Sequence, residues 1–148
     1  WRRSAGRRLH MRRAGNLIER IADADNLRLA FWKASKGKRA QSEVLRFRAG
    51  LDENLRRLGK QLLEAAVPWG PYRRFARYEP KARVISAAPF RDRVAHHAIL
   101  TVIERHFESY QIQDSYACRR GKGLHAALAR AVSFSRPGDW YLKMDGWK

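Results

Sequence analysis

The chain has 148 residues, 45% of them hydrophobic, which is enough for one domain with a real core. Its 32 Lys and Arg against 14 Asp and Glu leave a formal charge of +18, so a compact state is self-repelling unless a polyanion neutralises it. The single cysteine excludes an internal disulfide framework and a Cys-only zinc site, and no apolar run approaches the ~20 residues of a membrane span.

Nucleic acid is the obvious polyanion, bound with a steep salt dependence. The plainer alternatives are a merely soluble basic surface or a ribosome-associated protein. The lone thiol fits a reducing, cytoplasmic setting.

Residues 1–15 hold six arginines and little that is apolar, and read as a basic, flexible arm. A helical pattern starts at Asn16 and carries Leu17, Ile18, Ile21, Leu27, Leu29, Phe31 and Trp32. Ser35-Lys36-Gly37-Lys38-Arg39 interrupts it as a basic loop. Val44, Phe47, Leu51, Leu55, Leu58, Leu62 and Ala66 then step by three or four, which predicts a helical face over 42–66. Gly50 divides that stretch, with Asp52 as the expected N-cap of its second part. Pro68-Trp69-Gly70-Pro71 ends helix.

Residues 72–78 and 83–87 read as two strands around Glu79-Pro80-Lys81-Ala82, forming a basic hairpin. A clean helix follows over 91–109, with Val94, Ala98 and Val102 on one row and Ile99, Ile103 and Phe107 beside it. Gly121 and Gly123 bound a short loop, a further helix runs over 124–134, and Pro137-Gly138-Asp139 makes a turn. Residues 140–145 are the expected last strand. The order of elements is α+β.

Several residues have chemical potential. Asp145 stands at the end of an aromatic-rich strand, where a carboxylate can serve a hard cation, although a lone strand-end Asp is more commonly a cap or a surface residue. Arg73, Arg74, Arg77, Lys81 and Arg83 cluster on the hairpin, suited to phosphates. Arg119, Arg120 and Lys122 lie in the Gly-rich loop and are expected to touch backbone phosphates. Arg91-Asp92-Arg93 reads equally as a helix-start cap that pairs internally. Cys118 is expected to be buried packing. His96 and His97 are adjacent, so they do not share a helix face as an i, i+4 metal pair would.

Three blocks, in order, resemble the bacterial reverse transcriptases of group II introns, retrons and, most closely, diversity-generating retroelements. Tyr78-Glu79-Pro80-Lys81-Ala82-Arg83-Val84-Ile85-Ser86, leading into Phe90-Arg91-Asp92-Arg93-Val94-Ala95-His96-His97-Ala98, resembles the fingers hairpin and the helix after it. Asp114-Ser115-Tyr116-Ala117-Cys118-Arg119-Arg120-Gly121-Lys122-Gly123-Leu124-His125-Ala126-Ala127-Leu128 resembles the next block. Tyr141-Leu142-Lys143-Met144-Asp145 resembles the start of the palm motif. Weaker similarity reaches back to Asn16.

The resemblance implies fingers with a basic β-hairpin packed on helices over 16–138, then a first palm strand over 139–148. It implies an RNA-directed DNA polymerase, a nucleotidyltransferase that adds deoxynucleoside triphosphates to a DNA primer on an RNA template. Asp145 would bind catalytic Mg²⁺, with the Gly146 carbonyl as a further ligand, and Lys81 and Arg83 would reach the triphosphate. An accessory protein is a further expected partner.

The chain departs from the family at Gly146-Trp147, where an apolar β-branched residue usually follows the aspartate, and at His96, where Gln is common. The remaining carboxylates of the palm are not in these residues. The chain therefore reads as a fragment, interrupted three residues after Asp145 and inactive as a polymerase by itself. The alternative reading is a non-catalytic basic RNA-binding module on the same fold, and a third is a partner-binding basic domain resembling ribosomal proteins.

Overall fold

The computed structural model describes residues 14–78, 80–136, 138 and 140–144. The elements are α1 (Leu17–Ala22), α2 (Ala24–Ser35), α3 (Ser42–Ala49), α4 (Leu51–Leu63), β1 (Arg73–Tyr78), β2 (Ala82–Ala87), α5 (Phe90–Tyr110) and α6 (Leu124–Ser135). This is an α+β fold with one two-stranded antiparallel sheet among the described residues. It falls into two compact units, one up to Arg105 and one from His106.

In the first unit the apolar periodicity becomes a helical core. Ile21, Leu27, Phe31, Val44, Leu55, Leu58, Leu62, Phe90, Val94, Ala98 and Val102 are all buried in one cluster. Phe90 meets Phe31 and Phe47 edge to face, at centroid distances of 5.9 and 5.4 Å, which joins α2, α3 and α5. A Cβ at Gly59 would stand 3.1 Å from the Ala22 carbonyl oxygen and from Leu27 Cδ1, so glycine lets α4 approach α1 and α2 closely.

Local chemistry sets the helix ends. Asp23 interrupts what reads as one helix, because its carboxylate accepts from the Asp25 and Asn26 backbone N–H groups at 3.0 and 3.2 Å and caps α2. The Asn26 amide in turn donates to the carbonyls of Ile21 and Ala98, at 2.9 and 3.1 Å. Gly50 divides α3 from α4 as expected, but Gly50 itself occupies the N-cap position. Asp52 lies in the first turn and pairs with Arg28 at 2.7 Å, both side chains exposed. Helix α4 stops at Leu63, and Ala65 turns into the left-handed region at φ 50°, so Ala66 lies outside the apolar face.

Four expectations are corrected. Ile18, Leu29, Trp32 and Phe107 fit a helical pattern but are exposed, because a helix on one side of a small core buries only a narrow stripe. Both hairpin strands are exposed over almost their whole length, with only Ala87 partly covered, so the hairpin is not packed on the helices. Arginines occupy both faces of the hairpin, and the apolar Ala76, Tyr78, Ala82 and Val84 that share its reverse face all stay exposed. Residues 140–144 form no strand, since a strand requires a ladder partner and only β1 and β2 pair among the described residues. Cys118 is exposed in a loop at φ 56°, not in packing.

The second unit is held by polar knots. The Arg119 side chain is only 11% exposed and pairs with Glu108 at 2.7 Å. It also donates to the carbonyls of Ile112 and Ser115, at 2.6 and 3.1 Å. Arg130 binds Asp114 at 2.8 Å. Helix α6 buries none of its residues.

Candidate nucleic-acid interface

The site begins with strand alternation. In β1, Arg73, Phe75 and Arg77 share one face, while Arg74, Ala76 and Tyr78 share the other. The register sets Phe75 opposite Ile85 and Arg77 opposite Arg83, so Arg83 joins the first face. Two arginines directly across a ladder are an unfavourable pair, which an anion lying over them relieves. The Arg73 guanidinium lies 5.5 Å from the centroid of the Phe75 ring.

This face forms one wall of a cleft of about 900 Å³. The opposite wall comes from the loop before α3, from α3 itself and from the start of α5. Lys38, Arg46, Arg73, Arg77, Arg91 and Arg93 line the cleft with Glu43, and Phe47 and Phe90 contribute aromatic surface. Six cations to one carboxylate make it strongly electropositive. That carboxylate holds Arg93 at 3.3 Å. The Nε of Arg93 is buried without a hydrogen-bond acceptor among the described residues. Nearby, His97 is held below the ordinary imidazole value, first by burial and then by Lys33, His96, Lys38 and Arg93.

A buried carboxylate fixes the approach to the hairpin. Asp92, 1% exposed, accepts from the Gly70 backbone N–H at 2.8 Å and from the Arg91 guanidinium at 3.0 and 2.8 Å. Arg91 also donates to the Pro68 carbonyl. A Cβ at Gly70 would come within 2.7 Å of the Pro89 ring, so the backbone fits only with glycine there. The 68–71 segment is thus tied to the start of α5, and β1 leaves from a fixed point. Trp69 stacks on His96 at 5.5 Å. The internal-pairing reading of Arg91-Asp92-Arg93 holds, but its role is a clamp across the hairpin base.

The sequence-derived site residues are dispersed accordingly. Arg73, Arg77 and Arg83 come together on the cleft-side face, while Arg74 lies on the reverse face of the same hairpin. Lys81 is exposed at its tip, beside β2. Arg119 is occupied by internal partners, and Lys122 reaches the Gln113 carbonyl and lies 5.1 Å over the Tyr116 ring. Arg120 is exposed. Asp145 and Gly146 lie outside the described residues. No group of three His, Cys, Asp or Glu that could hold a metal converges among the described residues.

Sequence reasoning missed the far wall of the cleft, formed by Lys38, Arg46, Arg91 and Arg93. The signal was present in the Lys36–Arg39 block, which read as an isolated loop. No helix is long and apolar enough to cross a membrane among the described residues. Comparison with protein-family models and with curated proteins finds no match to this chain.

Proposed function

We propose that the chain binds nucleic acid through the hairpin and the basic cleft, as the fingers portion of an RNA-directed DNA polymerase of bacterial reverse-transcriptase type. The observation that carries the binding reading is the convergence of Arg73, Arg77 and Arg83 on the hairpin face that walls the cleft. The polymerase reading rests on the three resembling sequence blocks. In it, Lys81 at the tip and Arg83 on β2 neutralise triphosphate oxygens, and the cleft cations hold template or primer phosphates. The described residues supply no Mg²⁺ ligand set, so their work is binding, charge neutralisation and positioning.

Anisotropy of labelled RNA and RNA–DNA primer–template with the 148-residue chain tests the binding reading. Affinity is expected to fall steeply with salt, and the joint Arg73, Arg77 and Arg83 alanine variant is expected to reduce the log–log salt slope by about 2. An unchanged slope overturns the interface. In the polymerase carrying this chain, Arg83→Ala is expected to raise the nucleotide requirement more than it weakens RNA binding. The opposite pattern makes Arg83 a template contact like Arg73 and Arg77 and overturns its triphosphate role. No primer extension on RNA by that protein leaves the non-catalytic RNA-binding module.

A further inference from the structure

We propose that Trp32 and Arg39 form a stacking site for an unpaired base of a single-stranded nucleic acid whose phosphates continue into the cleft; this deepens the binding reading above and rests on it. Trp32 is 55% exposed on α2, while its helix neighbours Phe31, Ala34 and Ser35 are buried at 5% or less. The indole therefore stands on a rigid base and offers its surface to solvent. The Arg39 guanidinium lies 4.9 Å from the ring centroid. An aromatic plane with an arginine over it matches a nucleobase, which has a π-face and carries a phosphate beside it.

Position connects this platform to the cleft. The turn after α2 is ordered: Gly37 takes φ 71°, Lys38 N–H donates to the Ser35 carbonyl at 2.9 Å, and Gln41 N–H donates to the Lys38 carbonyl at 3.0 Å. Lys38 lines the cleft and Arg39 lies over Trp32. Consecutive Cα atoms are about 3.8 Å apart, so cleft wall and platform are carried by neighbouring residues on one turn. Residues 32–42 include Lys33, Lys36, Lys38 and Arg39 and no acid, so the segment around the platform attracts a polyanion. A duplex keeps its base faces stacked on one another, so the platform selects unpaired strands.

Anisotropy titrations of the 148-residue chain with a short oligouridylate and with a closed RNA duplex, at several salt concentrations, test this. Trp32→Ala and Trp32→Leu are expected to weaken oligouridylate binding roughly tenfold, with the salt slope unchanged and duplex binding within about twofold. Trp32→Phe is expected to retain most of the affinity, because it keeps a π-face. Arg39→Ala is expected to lower the single-strand slope by about 0.7. Wild-type-like binding by both Trp32→Ala and Trp32→Leu overturns the stacking site, as does equal loss for single strand and duplex. A wild-type chain that binds no polyanion overturns the interface as a whole, which is a distinct result.

Discussion

Replacing Asp92 by alanine tests whether the hairpin base is held as described. The carboxylate is 1% exposed and accepts three hydrogen bonds, one from Gly70 and two from Arg91. Removing one partner of a buried ion pair costs about 3–5 kcal/mol. The Arg91 side chain is 33% exposed, so water recovers part of that loss for the cation. The Gly70 N–H, once orphaned, adds about 1–3 kcal/mol. A net destabilisation of about 3 kcal/mol follows, out of the roughly 5–15 kcal/mol typical of a domain. Urea unfolding followed by circular dichroism measures it. Binding gives a second readout of opposite sign to the naive one. Removing a carboxylate makes the protein more positive, and Coulomb attraction alone would tighten RNA binding. Because β1 starts three residues after Gly70, loosening the clamp disperses the hairpin arginines and weakens binding instead. A stability loss under about 0.5 kcal/mol, or tighter binding, refutes the clamp.

Other outcomes follow from single sites. Arg83→Thr removes the like-charge pairing with Arg77, so it is expected to raise stability by about 0.2–1 kcal/mol while weakening RNA binding; stability and affinity moving together contradicts the register argument. Leu58→Ala, at a side chain 1% exposed, is expected to cost about 3 kcal/mol in urea unfolding, whereas Ile112→Ala, at 74% exposed, stays within about 0.5 kcal/mol. The Arg119 guanidinium holds the Glu108 carboxyl below its ordinary range, so that pair supports the second unit above the ordinary carboxylate range and is lost as pH falls through the depressed value. Amide protection over residues 111–123 should fall in that acid window in the wild type, and Arg119→Ala should already lack it at neutral pH. His97 is depressed too, so stability is full above the ordinary imidazole value and declines as pH falls from there towards the lowered one. His97→Gln is expected to flatten that decline in urea titrations across it.

Elements were legible where a period or a breaker spoke for itself. The three- and four-residue steps of Leu55, Leu58 and Leu62, and the four-residue steps of Val94, Ala98 and Val102, located core faces that the fold buries. Pro80 and the flanking alternation located the hairpin to within a residue. Trp32 and Leu29 misled because the same spacing describes both a buried stripe and its shoulder, and only the neighbouring helices decide where the stripe ends. Residues 140–144 misled for a different reason. Aromatic and apolar content is permissive for a strand, but the ladder partner is a non-local condition that no window of five residues contains. Asp92 was ambiguous from its neighbours in sequence because its decisive partner, the Gly70 N–H, is 22 residues away.

The proposed phosphate-binding face rests on how acids and arginines are distributed as well as on the total charge. Many of the chain's carboxylates serve its arginines, both within a helix and between elements. Glu53 pairs with Arg56, Glu108 with Arg119, Asp114 with Arg130, Asp92 with Arg91 and Glu43 with Arg93. In the loop after α5, arginine acts as a structural fork that ties carbonyls together, so an arginine-rich stretch there adds little free potential. The two hairpin strands contain four arginines and no acid, and their register sets Arg77 against Arg83. Cross-strand repulsion between these two arginines opposes the pairing, and both strands are exposed over almost their whole length. An anion lying over Arg77 and Arg83 lowers that repulsion in the proposed binding reading, and the sign of the Arg83→Thr stability change tests how large the repulsion is.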